Sequence, residues 1–142
     1  MSRPTRASLL GGRAAAAALL LLGGCQSQPA KPADPGAAAY AANCLACHQA
    51  DGMGVRGFQP PLVGSAWVKG DPQVLAAWVL SGGFNSAARK ESVNTNVMPG
   101  FVQLDNATLA AVLTYVRTKF GDNAGPVTLE QVAAARGQVG TK

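Results

Sequence analysis

The sequence is poor in the residues from which most metal sites are built. It contains one histidine, His48, and three cysteines in 142 residues. A structural zinc site takes about four protein ligands, and Cys25 lies in a segment with a signature of its own. The composition therefore argues against a zinc site.

Large apolar side chains are also scarce. Aromatic residues make up 6% of the chain, whereas glycine and proline number 17 and 9. A chain of this length forms one modest domain, and with so few bulky residues it builds a thin core by itself. Strand signals are absent, so the sequence predicts an all-α fold.

No basic run with interleaved aromatic residues is present. The net charge is +5, but three arginines lie within the first 13 residues, and the remainder carries nine Lys and Arg against seven Asp and Glu. The sequence therefore predicts no nucleic-acid partner, and a solvated surface explains most of its charges.

No apolar run reaches the ~20 residues needed to span a bilayer. Residues 1–24 combine a basic start with a short apolar stretch over 14–22, which is typical of a secretory signal. Residues 22–25, Leu-Gly-Gly-Cys, resemble the lipobox of bacterial lipoproteins. The resemblance implies cleavage before Cys25 and lipidation of its thiol. The alternative is an ordinary signal followed by an unrelated cysteine.

Residues 25–35 are predicted to form a lipidated cysteine and a flexible, proline-rich linker. The linker would hold a domain at the periplasmic side of a bacterial membrane. Residue 26 is Gln, not the Asp that favours inner-membrane retention in many Gram-negative lipoproteins, so the outer membrane is slightly favoured.

Residues 44–48 read C-x-x-C-H, the attachment signature of a c-type haem. Cys44 and Cys47 are three residues apart, so one helical face can present both thiols to the two vinyl groups of one porphyrin. His48 then lies where its imidazole can bind the iron. The alternatives are a redox cysteine pair, half of a zinc site, or chance. A buried porphyrin would also supply the apolar mass that the core lacks.

Residues 52–57 match G-x-G-x-x-G, the dinucleotide-binding fingerprint. That motif must follow an apolar strand and begin a helix, whereas here it follows the C-x-x-C-H motif and leads to two prolines. We interpret it as a loop that runs close to a flat ligand.

The order of these features resembles that of class I c-type cytochromes over residues 36–121. The predicted cytochrome domain spans 36–125, with helices over 36–46, after the N-cap Asp71, and over 104–120, where Asp105 is the N-cap. Residues 126–142 are predicted to form a C-terminal tail. A short helix with Thr128 as its N-cap would begin this tail. Arg117 is expected to stabilise the C-terminal end of the third helix through its dipole.

The resemblance also implies roles for single residues. Gly36 would let the first helix cross the last one closely, at the level of Tyr40. The Pro60 carbonyl, or alternatively that of Pro61, would accept a hydrogen bond from His48. Leu62 would pack on the haem, and Trp67 would either bind a propionate or pack in the core.

Met98 begins a Met-Pro segment and matches the second axial iron ligand of the family. A lone methionine is usually a core residue, but fifty residues separate it from His48, enough chain to reach the opposite haem face. Met53 is the competitor. Five extended residues span roughly 17 Å, which is marginal for passing the porphyrin edge.

With histidine and methionine on the iron, no coordination site stays open, which suits electron transfer and not oxygen chemistry. The expected function is a one-haem electron carrier between periplasmic or membrane redox proteins, without a small-molecule substrate and without enzymatic activity. Four basic residues are candidates for a docking surface that would attract an acidic partner, with scattered solubilising charges as the alternative: Arg56, Lys69, Arg89 and Lys90. The alternatives are a haem sensor or ligand carrier with a displaceable Met98, and the haem subunit of a dehydrogenase or oxidase complex.

Overall fold

The computed structural model describes residues 34–83 and 98–140. All of them belong to one of the two compact units into which the chain divides, the unit that spans Lys31–Lys142. In these two ranges the chain forms six α-helices and no strand, and Val55 and Gln59 form one isolated bridge. The all-α prediction is confirmed. None of these helices is long and apolar enough to cross a membrane.

The first two helices surround the C-x-x-C-H motif. Helix α1 spans Pro35–Asn43, and the Asp34 carboxylate accepts a hydrogen bond of 2.8 Å from the Gly36 N–H at its start. The sequence predicted one helix through residue 46, but the backbone leaves the helix at Cys44 and forms a separate turn, α2, over Leu45–His48. Cys44 is thus both the C-cap of α1 and the N-cap of α2, so the C-x-x-C-H motif forms a turn of its own.

Helix α5 spans Asn106–Phe120 and crosses α1 at close range. A Cβ atom at Gly36 would lie 2.3 Å from the Ala111 carbonyl oxygen, so only glycine permits this approach. Tyr40 packs beside the crossing, with its ring centroid 5.4 Å from that of Tyr115. The close crossing predicted from Gly36 is thus present in the structure.

The remaining helices are α3 over Ala66–Lys69, α4 over Pro72–Ser81 and α6 over Leu129–Val139. Helix α4 begins at the predicted Asp71 cap and ends at Gly82, which has a left-handed φ of 68°. Helix α6 begins at Thr128, which forms a capping box with Gln131. It packs mainly against α4 and less against α5.

Arg117 lies in the last turn of α5, where the sequence placed its charge near the C-terminal end of the helix dipole. Its side chain is also buried, at 4% exposed, which the sequence did not indicate. It donates hydrogen bonds to the carbonyl oxygens of Val68 at 2.8 Å and Gly70 at 2.7 Å, and to two more just beyond α5, those of Ala124 and Gly125. Arg117 therefore ties α5 to α3 and to the segment that leads to α6.

Candidate haem site

A cavity of about 390 Å³ lies between the C-x-x-C-H turn, α4 and α5. This volume falls in the range of small-molecule and cofactor sites. Most of the wall is apolar, and the side chains with metal-binding or thiol chemistry are concentrated at the cavity. The wall comprises Asn43, Cys44, Cys47, His48, Gln59, Pro60, Pro61, Leu62, Ser65, Trp67, Val68, Leu75, Trp78, Val79, Gly82, Gly83, Met98, Pro99, Phe101, Leu104, Val112, Leu113 and Val116.

The two thiols of the motif are positioned by backbone hydrogen bonds of their own turn. The N–H of Cys44 donates to the Tyr40 carbonyl at 2.8 Å and so completes α1, whereas the Cys44 carbonyl accepts from Cys47 and His48 and starts α2. Both thiols are free, Cys44 half-buried and Cys47 exposed. Burial raises the pKa of Cys44 to about 11, with a smaller effect from Cys47. Both side chains line the cavity.

His48 presents a neutral imidazole to the same cavity. Burial lowers its pKa, and the Pro60 carbonyl beside the ring opposes that effect in part. Nδ1 is buried and no hydrogen bond of standard geometry reaches it. The hydrogen bond to Pro60 that the family resemblance implies is thus not formed at Nδ1, although the Pro60 carbonyl lies close enough to affect the His48 pKa. Such a bond would fix which ring nitrogen of the histidine faces a metal.

The glycine-rich segment after the motif is a loop, as the sequence predicted, although none of residues 52–57 lines the cavity. The N–H of Gly54 donates to the His48 carbonyl at 3.2 Å, and that of Leu62 donates to the Gly52 carbonyl at 2.7 Å. Gly54 has a φ of 64°, and a Cβ atom there would lie 2.4 Å from the Gln59 carbonyl oxygen. The fold of this loop brings Pro60 and Leu62 to the wall.

The two candidate methionines occupy different environments. Met98 lies in the cavity wall. Met53 is absent from the wall, and 54% of its surface is exposed. Of these two thioethers, the structure therefore presents that of Met98 to the same cavity as His48.

A pair of tryptophans forms another part of the wall. Trp67 and Trp78 stack with ring centroids 4.3 Å apart and an interplanar angle of 29°. Trp67 is among the candidate residues from the sequence, whereas Trp78 is not. The helical spacing of Trp78 from Leu75 and Val79 is the same for a core face and a cavity wall, so the sequence carries no signal to separate them. Val74, on the same helix, is 52% exposed.

Seven of the site residues singled out from the sequence line this one cavity: Cys44, Cys47, His48, Pro60, Leu62, Trp67 and Met98. Cys25 lies outside the described residues. Of the four basic candidates for a docking surface, Arg56 is exposed, Lys69 pairs with Asp122, and Arg89 and Lys90 lie outside the described residues.

The donor set fits an iron porphyrin. Two thiols three residues apart match two vinyl groups, and an imidazole and a thioether suit iron. Nowhere in residues 34–83 and 98–140 do three or more His, Cys, Asp or Glu side chains group to hold a metal directly. An iron at this site would thus be held chiefly through the porphyrin, which the apolar wall would cover.

Comparison with known proteins defines the family. The cytochrome c family model matches residues 33–119. The chain is 34% identical over 128 residues to cytochrome c-552 of Thermus thermophilus, a match that covers 84% of this chain and 83% of the relative. The chain therefore belongs to the cytochrome c family. It is a class I c-type cytochrome that carries covalently bound haem c and transfers electrons.

Two further relatives are parts of dehydrogenases. The chain is 37% identical over 108 residues to the cytochrome c subunit of a quinone alcohol dehydrogenase of Gluconobacter oxydans. It is 34% identical over 109 residues to the fructose dehydrogenase cytochrome subunit of Gluconobacter japonicus. Each match covers 71% of this chain and 22% of the relative, so this chain corresponds to about a fifth of those subunits.

Proposed function

We propose that Cys44 and Cys47 hold the haem by thioether bonds and that His48 and Met98 bind its iron from opposite sides. The observation that supports this assignment is the convergence of all four side chains on one apolar cavity. When bound, the haem would supply the one-electron redox chemistry. The Pro60 carbonyl would orient the imidazole, the apolar wall would exclude water, and the neutral thioether of Met98 would favour Fe(II) and raise the potential.

The methionine assignment is tested by Met98→Ala, with Met53→Ala as the matched control. We expect Met98→Ala to lower the reduction potential by about 0.1 V or more, a fraction of the about 0.8 V range that axial ligands span. Met53→Ala should leave the potential and the visible spectrum unchanged. Potentiometric titration followed in the visible range measures both. An unchanged potential in Met98→Ala would rule Met98 out as a ligand.

The assigned ligands favour an electron carrier over a sensor and over an enzyme. With His48 and Met98 as ligands, an iron porphyrin bound here would keep no coordination position for a substrate, and the only histidine of the chain, His48, would be committed to the iron. Carbon monoxide discriminates the sensor: the reduced native protein should bind it slowly or not at all, whereas rapid binding would indicate a displaceable Met98 and a ligand-binding function.

The partners are proposed to be redox proteins that deliver and accept single electrons. Similarity over most of the length of a cytochrome c-552 supports a one-haem carrier. Similarity to cytochrome subunits of dehydrogenases supports a second candidate, a haem subunit of such a complex. Gentle solubilisation and size-exclusion chromatography separate the two. A carrier elutes alone, and a subunit elutes together with a dehydrogenase.

A lipid anchor at Cys25 is proposed from the lipobox-like residues 22–25 and the proline-rich residues that follow. Two or more acyl chains would hold the protein stably at the periplasmic side of a membrane. Cys25→Ser should move the haem protein from the membrane to the soluble fraction and remove the lipid mass from its N-terminal peptide. Gln26→Asp serves as the control, because it should keep the lipid and alter only the membrane. Membrane association that persists in Cys25→Ser would contradict the anchor.

A further inference from the structure

The residues that follow Met98 form a non-helical segment, residues 98–105, which we call the methionine segment. Its first half rests on the end of α4. Gly100 packs so closely there that a Cβ atom would lie 2.7 Å from the Leu80 carbonyl oxygen. The Phe101 N–H donates to the Val79 carbonyl at 3.2 Å. Phe101 is buried and lines the cavity beside Met98.

The second half of the methionine segment is held by one side chain from α6. Arg136 donates from Nη1 to the Val102 carbonyl at 2.8 Å and from Nη2 to the Leu104 carbonyl at 2.6 Å. Its Nε donates to Oδ1 of Asn106 at 3.0 Å, at the first residue of α5. A planar guanidinium can make these three bonds at once, whereas a lysine ammonium lacks the rigid fork.

Arg136 is itself positioned by the packing of its helix. Val132 and Ala135 lie about one turn apart on the same face of α6, and both are fully buried in the core. The Val127 N–H donates to the Thr114 hydroxyl at 3.0 Å, which ties the approach to α6 onto α5. Helix α6 contributes nothing to the cavity wall and lies beyond the residues that the family model matches, 33–119. Its contacts with the methionine segment are thus a feature of this chain outside the matched domain.

We propose that Arg136 is a positioning residue that keeps the Met98 thioether at the iron, although α6 does not touch the cavity. This inference rests on the proposed assignment of Met98 as a ligand. A soft thioether binds Fe(III) less well than Fe(II). The ferric state therefore depends more on the protein to hold the sulfur in place, and loosening the methionine segment should affect that state first.

Three variants of the haem-loaded protein test the proposal. Arg136→Met keeps the apolar stem and removes all three hydrogen bonds, Arg136→Lys keeps the charge, and Asn106→Ala removes only the bond to α5. In Arg136→Met we expect the apparent affinity of the ferric protein for imidazole to rise about tenfold, because apparent affinity follows the fraction of competent, methionine-free protein. The weak far-red band of ferric, methionine-bound haem should fade. Arg136→Lys should be intermediate, and Asn106→Ala nearly unchanged.

Arg117→Met is the matched control for general destabilisation. It also removes a guanidinium that binds several backbone carbonyls, but none of them lies in the methionine segment. It should lower the thermal midpoint and leave ferric imidazole affinity and the far-red band unchanged. If Arg136→Met lowers the thermal midpoint in the same way without changing either readout, the positioning role is overturned.

The failure of this proposal is distinguishable from failure of the ligand assignment. If the unmodified ferric protein lacks the far-red band and binds imidazole as tightly as Met98→Ala does, Met98 is not a ligand and both proposals fall. If the unmodified protein shows the band and Met98→Ala abolishes it, the ligand assignment stands and the Arg136 variants alone decide the positioning role.

Discussion

The histidine side and the methionine side of the cavity are built in opposite ways. On the histidine side, residues 44–62, neighbours in sequence hold one another: Gly54 bonds the His48 carbonyl, and Leu62 bonds the Gly52 carbonyl. The methionine side, residues 98–106, is held by α4 and by Arg136, more than thirty residues from the carbonyls that it binds. One side is a local structure, and the other depends on the whole fold.

This difference determines how each side should respond to change. The bonds on the histidine side join residues close in sequence, so a substitution elsewhere in the fold leaves their partners in place. The methionine side depends on particular contacts with α4 and Arg136, so removal of those contacts should loosen it. We therefore expect the proposed Met98 ligand to be the one most readily lost when those contacts are removed.

The largest expected effect is on the histidine side. Changing both Cys44 and Cys47 to Ser removes the two thiols and should abolish covalent haem completely, because a hydroxyl does not replace a thiol in the thioether bond. Each single variant should keep one bond. Denaturing gel electrophoresis with haem staining, followed by intact mass, checks the result. Covalent haem in the double variant would contradict the assignment of the motif.

The next effect concerns stability and sharpens the comparison between two arginines. Arg117→Met should lower the free energy of unfolding by about 3 kcal/mol, because it leaves buried carbonyl groups without donors. Arg136 is only half-buried, so Arg136→Met should cost less stability while having the greater effect on the methionine ligand. Denaturant unfolding of the haem-loaded variants measures both costs. If both variants lost the same free energy of unfolding and affected the methionine ligand equally, the two arginines would not differ in role.

The smallest effect tests the close crossing of α1 and α5. Gly36→Ala would place a Cβ atom 2.3 Å from the Ala111 carbonyl oxygen, so we expect a loss of about 1–3 kcal/mol. Gly137→Ala is the control. It lies within α6 with nothing within 4 Å of its Cβ position, and it should gain about 0.5–1 kcal/mol. Denaturant midpoints at constant m-value give both changes in the free energy of unfolding. If Gly36→Ala left that free energy unchanged, the close crossing would be contradicted.

The part of the fold that could be predicted from sequence is the part with local signals. Asp71 and Asp105 cap the helices that they were predicted to cap, because a capping carboxylate acts within one turn. The break at Cys44 and the short helix α3 carried no periodic signal. Arg117 and Arg136 resembled ordinary surface cations, since the carbonyls that they bind are brought to them only by tertiary packing.

The same distinction applies to the site. Residues 44–48 indicated haem chemistry by spacing alone, whereas Trp78, Leu113 and Val116 enter the wall only because α4 and α5 pack around the cavity. Their apolar helical spacing predicts burial but not what is buried against them. Similarity to a known family, and not periodicity, singled out Met98.

Nuclear magnetic resonance of the reduced, haem-loaded protein with ¹³C-labelled methionine methyl groups tests the central claim most directly. A methyl group bound through sulfur to the iron lies over the porphyrin ring, whose ring current moves its signal far from the usual position. We predict one such displaced signal, present in Met53→Ala and absent from Met98→Ala. If every methionine signal stays at its usual position, or if the displaced signal persists in Met98→Ala, then the pairing of His48 with Met98 is contradicted.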